Sequence, residues 1–95
     1  MEKVFEINLL YDFYGELLTE RARSIFEQHY IEDYSLGEIA LLEGVSRQAV
    51  HDSLRRSEAQ LADYERRLGL LERFMLQKEK LSKIKELVNE LEELM

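Results

Sequence analysis

Residues 35–56, SLGEIALLEGVSRQAVHDSLRR, read as two short helices joined by a tight turn. Ser35 caps the first helix, and Glu38, three residues on, completes a capping box. Ile39, Ala40 and Leu42 give that helix an apolar face. Gly44 stands where a helix ends in a left-handed residue, a conformation glycine enters without a Cβ clash. Val45 turns back toward the core, and Ser46 caps the second helix. Ala40 is small where the two helices meet, and Val50 anchors the second one inward. The spacing is that of a helix-turn-helix.

The second helix opens with short polar and basic side chains. Its outward positions are Arg47, Gln48, His51, Asp52 and Arg55, next to Ala49 and Arg56. Arginine pairs bidentately with guanine and glutamine with adenine. Arg47 and Gln48 are therefore expected to read bases in a DNA major groove. Ser46, at a helix N-terminus, is placed for a phosphate, as are Arg55 and Arg56. Asp52 is open to three roles: accepting from cytosine, pairing with Arg55 or Arg56, or repelling phosphate.

Composition limits the other possibilities. The 95 residues contain no cysteine, no proline and four glycines, and 35% are charged. Disulfides and thiolate metal sites are excluded, and the long stretches without helix breakers point to an all-α fold. No apolar run is long enough for a membrane span. The start, MEKVFEINLL, lacks the pattern of a secretion signal, so a cytoplasmic protein is expected. The two histidines, His29 and His51, lie in different elements, and the glycines are too scattered for a phosphate loop. No enzyme, cofactor or metal is expected.

The net charge of −7 opposes a DNA role, since phosphate neutralisation carries much of such binding. The acid excess is concentrated before the motif, where residues 1–34 hold eight acids and three bases. Residues 35–68 and 69–95 each hold six acids and five bases.

Around the motif, a first helix is expected from Glu2 to Tyr14. Its stripe is Val4, Ile7, Leu10, Tyr11 and Tyr14, widened by Phe5, Leu9 and Phe13. Thr19 caps a second helix, which turns Ala22, Ile25, Phe26 and Tyr30 inward. The helix after Ser46 runs unbroken to Gly69, about 30 Å. Residues 1–69 thus form the helix-turn-helix domain.

Residues 70–95 form a separate amphipathic helix. Phe74, Leu81, Val88 and Met95 fall on one heptad position, and Leu70, Gln77, Ile84 and Leu91 on the other. This seam is expected to make a homodimer, with folding back over the first helix as the alternative.

INLLYDFYGELLTERA, followed by HYIEDYSLGEIALLEGVSRQAVHDSLRRSEAQLADYERRLGL, resembles the YlxM family of small bacterial helix-turn-helix proteins. The likeness covers Ile7 to Leu70, and the motif itself is similar to region 4 of bacterial sigma factors. It implies a small helical bundle that binds DNA, with Ser46, Arg47, Gln48 and Ala49 starting the recognition helix. It also implies a link to the signal recognition particle, through that particle's GTPase protein or its RNA. His51 departs from the pattern, which more often has an aromatic residue there.

Three functions compete on these grounds. The first is a DNA-binding regulator. The second is a protein-binding modulator of the particle's GTPase whose helix-turn-helix binds no DNA. The third is a plain structural oligomer. Exposed, unpaired Arg47, Arg55 and Arg56 would favour the first; neutralisation by Glu43, Asp52 and Glu58 would favour the second.

Overall fold

A computed structural model describes residues 3–95 as an all-α chain. Helix α1 is Lys3–Tyr14, α2 Glu20–Tyr30, α3 Leu36–Glu43, α4 Arg47–Leu68 and α5 Leu70–Glu93. A 3-10 turn, Gly15–Leu17, follows α1. The part of the first expected helix at Glu2 lies outside the described residues. The other helices keep close to their expected limits, because their signals are local: caps at Thr19, Ser35 and Ser46, and left-handed glycines at Gly44 and Gly69.

Helix α4 organises the molecule. Its first half closes one core with Ile25, Ile39, Ala40, Val50 and Leu54. Its second half closes another, where Leu61 meets Ile7, Leu10, Tyr14, Leu18, Phe26 and Leu71. Neighbouring residues of α2, Ile25 and Phe26, enter one core each. Ser53 and Ser57 are buried on α4 where it faces α2, and their small side chains let the two helices approach. Phe26 is fully enclosed and stacks on Tyr11, with ring centroids 4.3 Å apart. That stack explains Gly15, since a Cβ there would stand 2.8 Å from the Tyr11 ring.

Several expected contacts are corrected. Leu42 does not join the inner face of α3: it is 65% exposed, and its neighbour Leu41 is 86% exposed. An eight-residue helix anchored through Ile39 and Ala40 turns positions 41 and 42 to the far side. Val4 and Phe5 are also exposed, because no helix covers the first turn of α1. On α5, Leu71 is buried in the core and Leu70 is largely outside it.

The α4–α5 corner holds the largest feature that residue patterns did not indicate. Gly69, with φ +62°, starts α5 without a capping side chain. The job falls to Tyr14, far away in the sequence, and to Glu65 in the last turn of α4. The Tyr14 hydroxyl accepts from the Leu70 N–H at 3.0 Å and donates to Glu65 Oε1 at 2.6 Å. Glu65 in turn accepts from the N–H groups of Leu71 and Glu72, each at 3.0 Å. Three of the free donors that begin any helix are thereby satisfied.

Beyond its first turns α5 leaves the body, and with this projection the molecule measures 64 × 27 × 20 Å. Phe74 packs edge-on against Phe13, with centroids 5.5 Å apart, and the rest of the helix is exposed. Folding back over α1 is thus confined to the start of α5. No helix among the described residues is long and apolar enough to cross a membrane.

Candidate nucleic-acid interface

The motif is built by its caps. Ser35 Oγ accepts from the Glu38 N–H at 3.1 Å, and Glu38 Oε1 accepts from the Ser35 N–H at 3.0 Å. These bonds hold the Glu38 carboxyl below its usual range. Gly44 ends α3 at φ +69°, and the next N–H, from Val45, returns to the Ala40 carbonyl. Ser46 Oγ accepts from the Ala49 N–H at 3.0 Å, which leaves the hydroxyl proton free to donate outward. Val50 and Ile39 are fully buried where α3 and α4 cross.

Behind the motif, α2 bolts onto the end of α3. Glu43 Oε2 accepts from the Gln28 side chain at 3.0 Å, and Arg21 reaches the Glu43 carbonyl at 3.2 Å. On the other side the Tyr30 hydroxyl donates to Glu58. Burial, and the Glu58 carboxylate beside it, push the Tyr30 pKa well up.

All eight expected contact residues are exposed: Ser46, Arg47, Gln48, Ala49, His51, Asp52, Arg55 and Arg56. They do not all project freely. The Arg47 guanidinium lies over the first turn of α3, where a Cβ on Gly37 would stand 2.9 Å from its Nη2. Gln48 donates to Asp52 Oδ1 at 2.9 Å, and the same oxygen is 3.6 Å from His51 Nδ1. Of the three roles open to Asp52, pairing with Arg55 or Arg56 is not adopted; it holds Gln48 instead.

Arg55 and Arg56 diverge to opposite flanks of α4. Arg55 and His51 line a groove with Lys3 and His29. Arg56 lines another with Arg21, Thr19 and Ala49. The fold therefore brings Lys3 to the rim at Arg55, beside Glu58, and Arg21, itself paired with Glu43, to the rim at Arg56. Neither Lys3 nor Arg21 is near the motif in sequence, and no local pattern marks them. The surrounding acids are engaged elsewhere: Glu43 with Arg21 and Gln28, Glu58 with Tyr30, and Asp52 with Gln48. Among the described residues, no carboxylate pairs with Arg47, Arg55 or Arg56. The described residues also contain no cluster of three or more side chains fit to hold a metal ion.

Comparison with known proteins agrees with this architecture. The UPF0122 family model, described as "Putative helix-turn-helix protein, YlxM / p13 like", matches residues 1–95. The match extends past the Ile7–Leu70 stretch that carries the resemblance and takes in α5. A UPF0122 protein of Geobacillus sp. (strain WCH70) is 47% identical over 88 residues, spanning 93% of this chain and 80% of its own. One from Caldanaerobacter subterraneus subsp. tengcongensis is 50% identical over 82 residues, or 86% and 70% of the two chains. One from Symbiobacterium thermophilum is 58% identical over 71 residues, or 75% and 66%.

Proposed function

Since this chain belongs to the UPF0122 family of YlxM/p13-like helix-turn-helix proteins, we propose that it is a cytoplasmic regulator that binds duplex DNA through the start of α4. The observation that carries the reading is the set of exposed arginines at 47, 55 and 56, left without carboxylate partners by acids that bond elsewhere. In this reading Arg47 and Gln48 address base edges. Ser46, Arg55 and Arg56 contact phosphates, and Ala49 lets the backbone approach. His51 and Asp52 border the contact. Gln48 exchanges Asp52 for a base, and Arg47 swings off Gly37, as the groove closes on them.

A salt titration of binding to duplex DNA tests this. Each phosphate neutralised contributes about 0.9 to the slope of log affinity against log salt. A slope of about −2 to −4 is expected from three arginines and their neighbours. Absence of binding at low salt overturns the reading.

The eight acids within residues 1–34 favour a second reading. An acidic helical face suits a basic partner, and the family resemblance suggests the signal recognition particle, through its GTPase or its RNA-bound form. Retention of the particle by the immobilised chain at low salt would support it; no retention would count against it.

In both readings α5 serves as a seam between two copies. Leu70, Phe74, Leu81, Ile84, Val88, Leu91 and Met95 all retain exposed apolar surface, from 39% at Phe74 to 102% at Met95. Truncation after Leu70 is expected to yield a monomer. A truncated chain that keeps the parent's oligomeric state overturns the seam.

A further inference from the structure

The charges of α5 are divided along its length. Residues 73–85 carry five bases and one acid; residues 86–95 carry four acids and no base. Between Leu81 and Leu91 the stripe Leu81, Ile84, Val88 and Leu91 is half exposed and nothing in the fold covers it. Patches of this kind mark association surfaces. Leu71 and Phe74, by contrast, are already used by the body of the same chain.

We propose that α5 pairs antiparallel with α5 of a second copy, the basic half of each helix lying against the acidic half of the other. This rests on the reading of α5 as a seam and adds its direction and register. A parallel pair in register would set Arg73 against Lys78 of the second copy, and Lys80 against its Lys85. Those are the positions that flank a two-stranded seam, and like charges there oppose pairing. Reversing one helix removes both clashes.

One antiparallel register fits best. It places Leu81 against Leu91 of the second copy and Ile84 against its Val88, each contact occurring twice about the dyad. Lys78 then faces Glu92 of the second copy, also twice. Leu87 meets its own equivalent beside the dyad. Gln77 lies opposite Met95 at the ends, where a polar side chain stays wet. Lys85 faces its own equivalent, and this is the one like-charge meeting in the arrangement. Leu70 and Phe74 fall outside the overlap, in keeping with the packing of Phe74 on Phe13. The two Gly69 corners stand about 51 Å apart along the seam, from 34 residues of helical rise.

The chain has no cysteine, so single cysteines report direction cleanly. Leu87→Cys is expected to cross-link two copies under mild oxidation. Leu81→Cys is not, because its equivalent lies about 15 Å away along the axis. Cross-linking at Leu81 overturns the antiparallel arrangement, whatever Leu87 does. Failure at Leu87 in a chain that sedimentation shows to be dimeric overturns the register while leaving the seam intact. A chain that stays monomeric at every concentration overturns the seam itself. Charge reversal gives a second readout. Lys78→Glu is expected to weaken the dimer at least tenfold, and Lys78→Glu with Glu92→Lys to restore it. In a parallel pair Lys78→Glu would instead meet Arg73 and tighten it. All these positions are exposed, so the variants fold.

Discussion

Tyr14 and Glu65, fifty-one positions apart, are joined by a 2.6 Å hydrogen bond that completes the N-terminal cap of α5. The carboxylate takes two backbone N–H groups of α5 and the hydroxyl takes a third. Glu65→Ala strands the Leu71 and Glu72 N–H groups at a partly buried corner. A loss of about 1–3 kcal/mol in unfolding free energy is expected by denaturant titration. Tyr14→Phe should cost less, because Glu65 keeps its own two backbone donors.

The same carboxylate sets an acid limit. Burial pushes its pKa up, but the Tyr14 hydroxyl and the Leu71 and Glu72 N–H groups outweigh that and hold it below the usual range. A folded-state value below the unfolded one gives stability that is present above about pH 4.3 and lost as pH falls through the folded value. Glu65→Gln should therefore be less stable than the parent at neutral pH, with the gap narrowing below about pH 4. A gap independent of pH would refute this assignment.

Gly44 and Gly15 are required for different reasons, and substitution separates them. At Gly44 nothing lies within 4 Å of a new Cβ, so the cost is the left-handed backbone alone. Gly44→Ala is expected to lose about 1–2 kcal/mol, and Gly44→Asn less, since asparagine tolerates that region. At Gly15 the obstacle is the Tyr11 ring, so Gly15→Asn should be no better than Gly15→Ala. Thermal unfolding of the four variants checks the order.

Asp52 holds Gln48 and carries a negative charge on the face proposed to meet DNA. Asp52→Asn should raise affinity for duplex DNA at fixed salt. Arg55→Ala and Arg56→Ala should each lower the salt slope by about one, with the fold unchanged. If Asp52→Asn weakens binding, the aspartate contributes a contact of its own.

The motif was legible because its determinants are local. Ser35, Glu38, Gly44 and Ser46 each act on backbone within four residues, so their spacing alone predicts their geometry. Burial was less legible where the phase of a short helix depends on what it packs against. Leu42 and Leu41 point away because Ile39 and Ala40 dock first. Leu71, not Leu70, enters the core because the pinned corner fixes where α5 begins its turn. Lys3 and Arg21 reach the rim through tertiary packing, and the Tyr14–Glu65 link spans most of the chain. Neither leaves a trace in periodicity or spacing.

Helix α4 is unbroken from Arg47 to Leu68, 22 residues, and it passes through both cores before reaching the pinned corner. It is therefore a shaft of about 33 Å with no break between Arg47 at one end and the α5 corner at the other. A tilt imposed on its first turn is delivered to α5 as a swing of the projecting rod. Among the described residues α4 has no break with which to absorb a mismatch, so in the proposed DNA complex the spacing between two contacts is gauged by the length of the helices themselves.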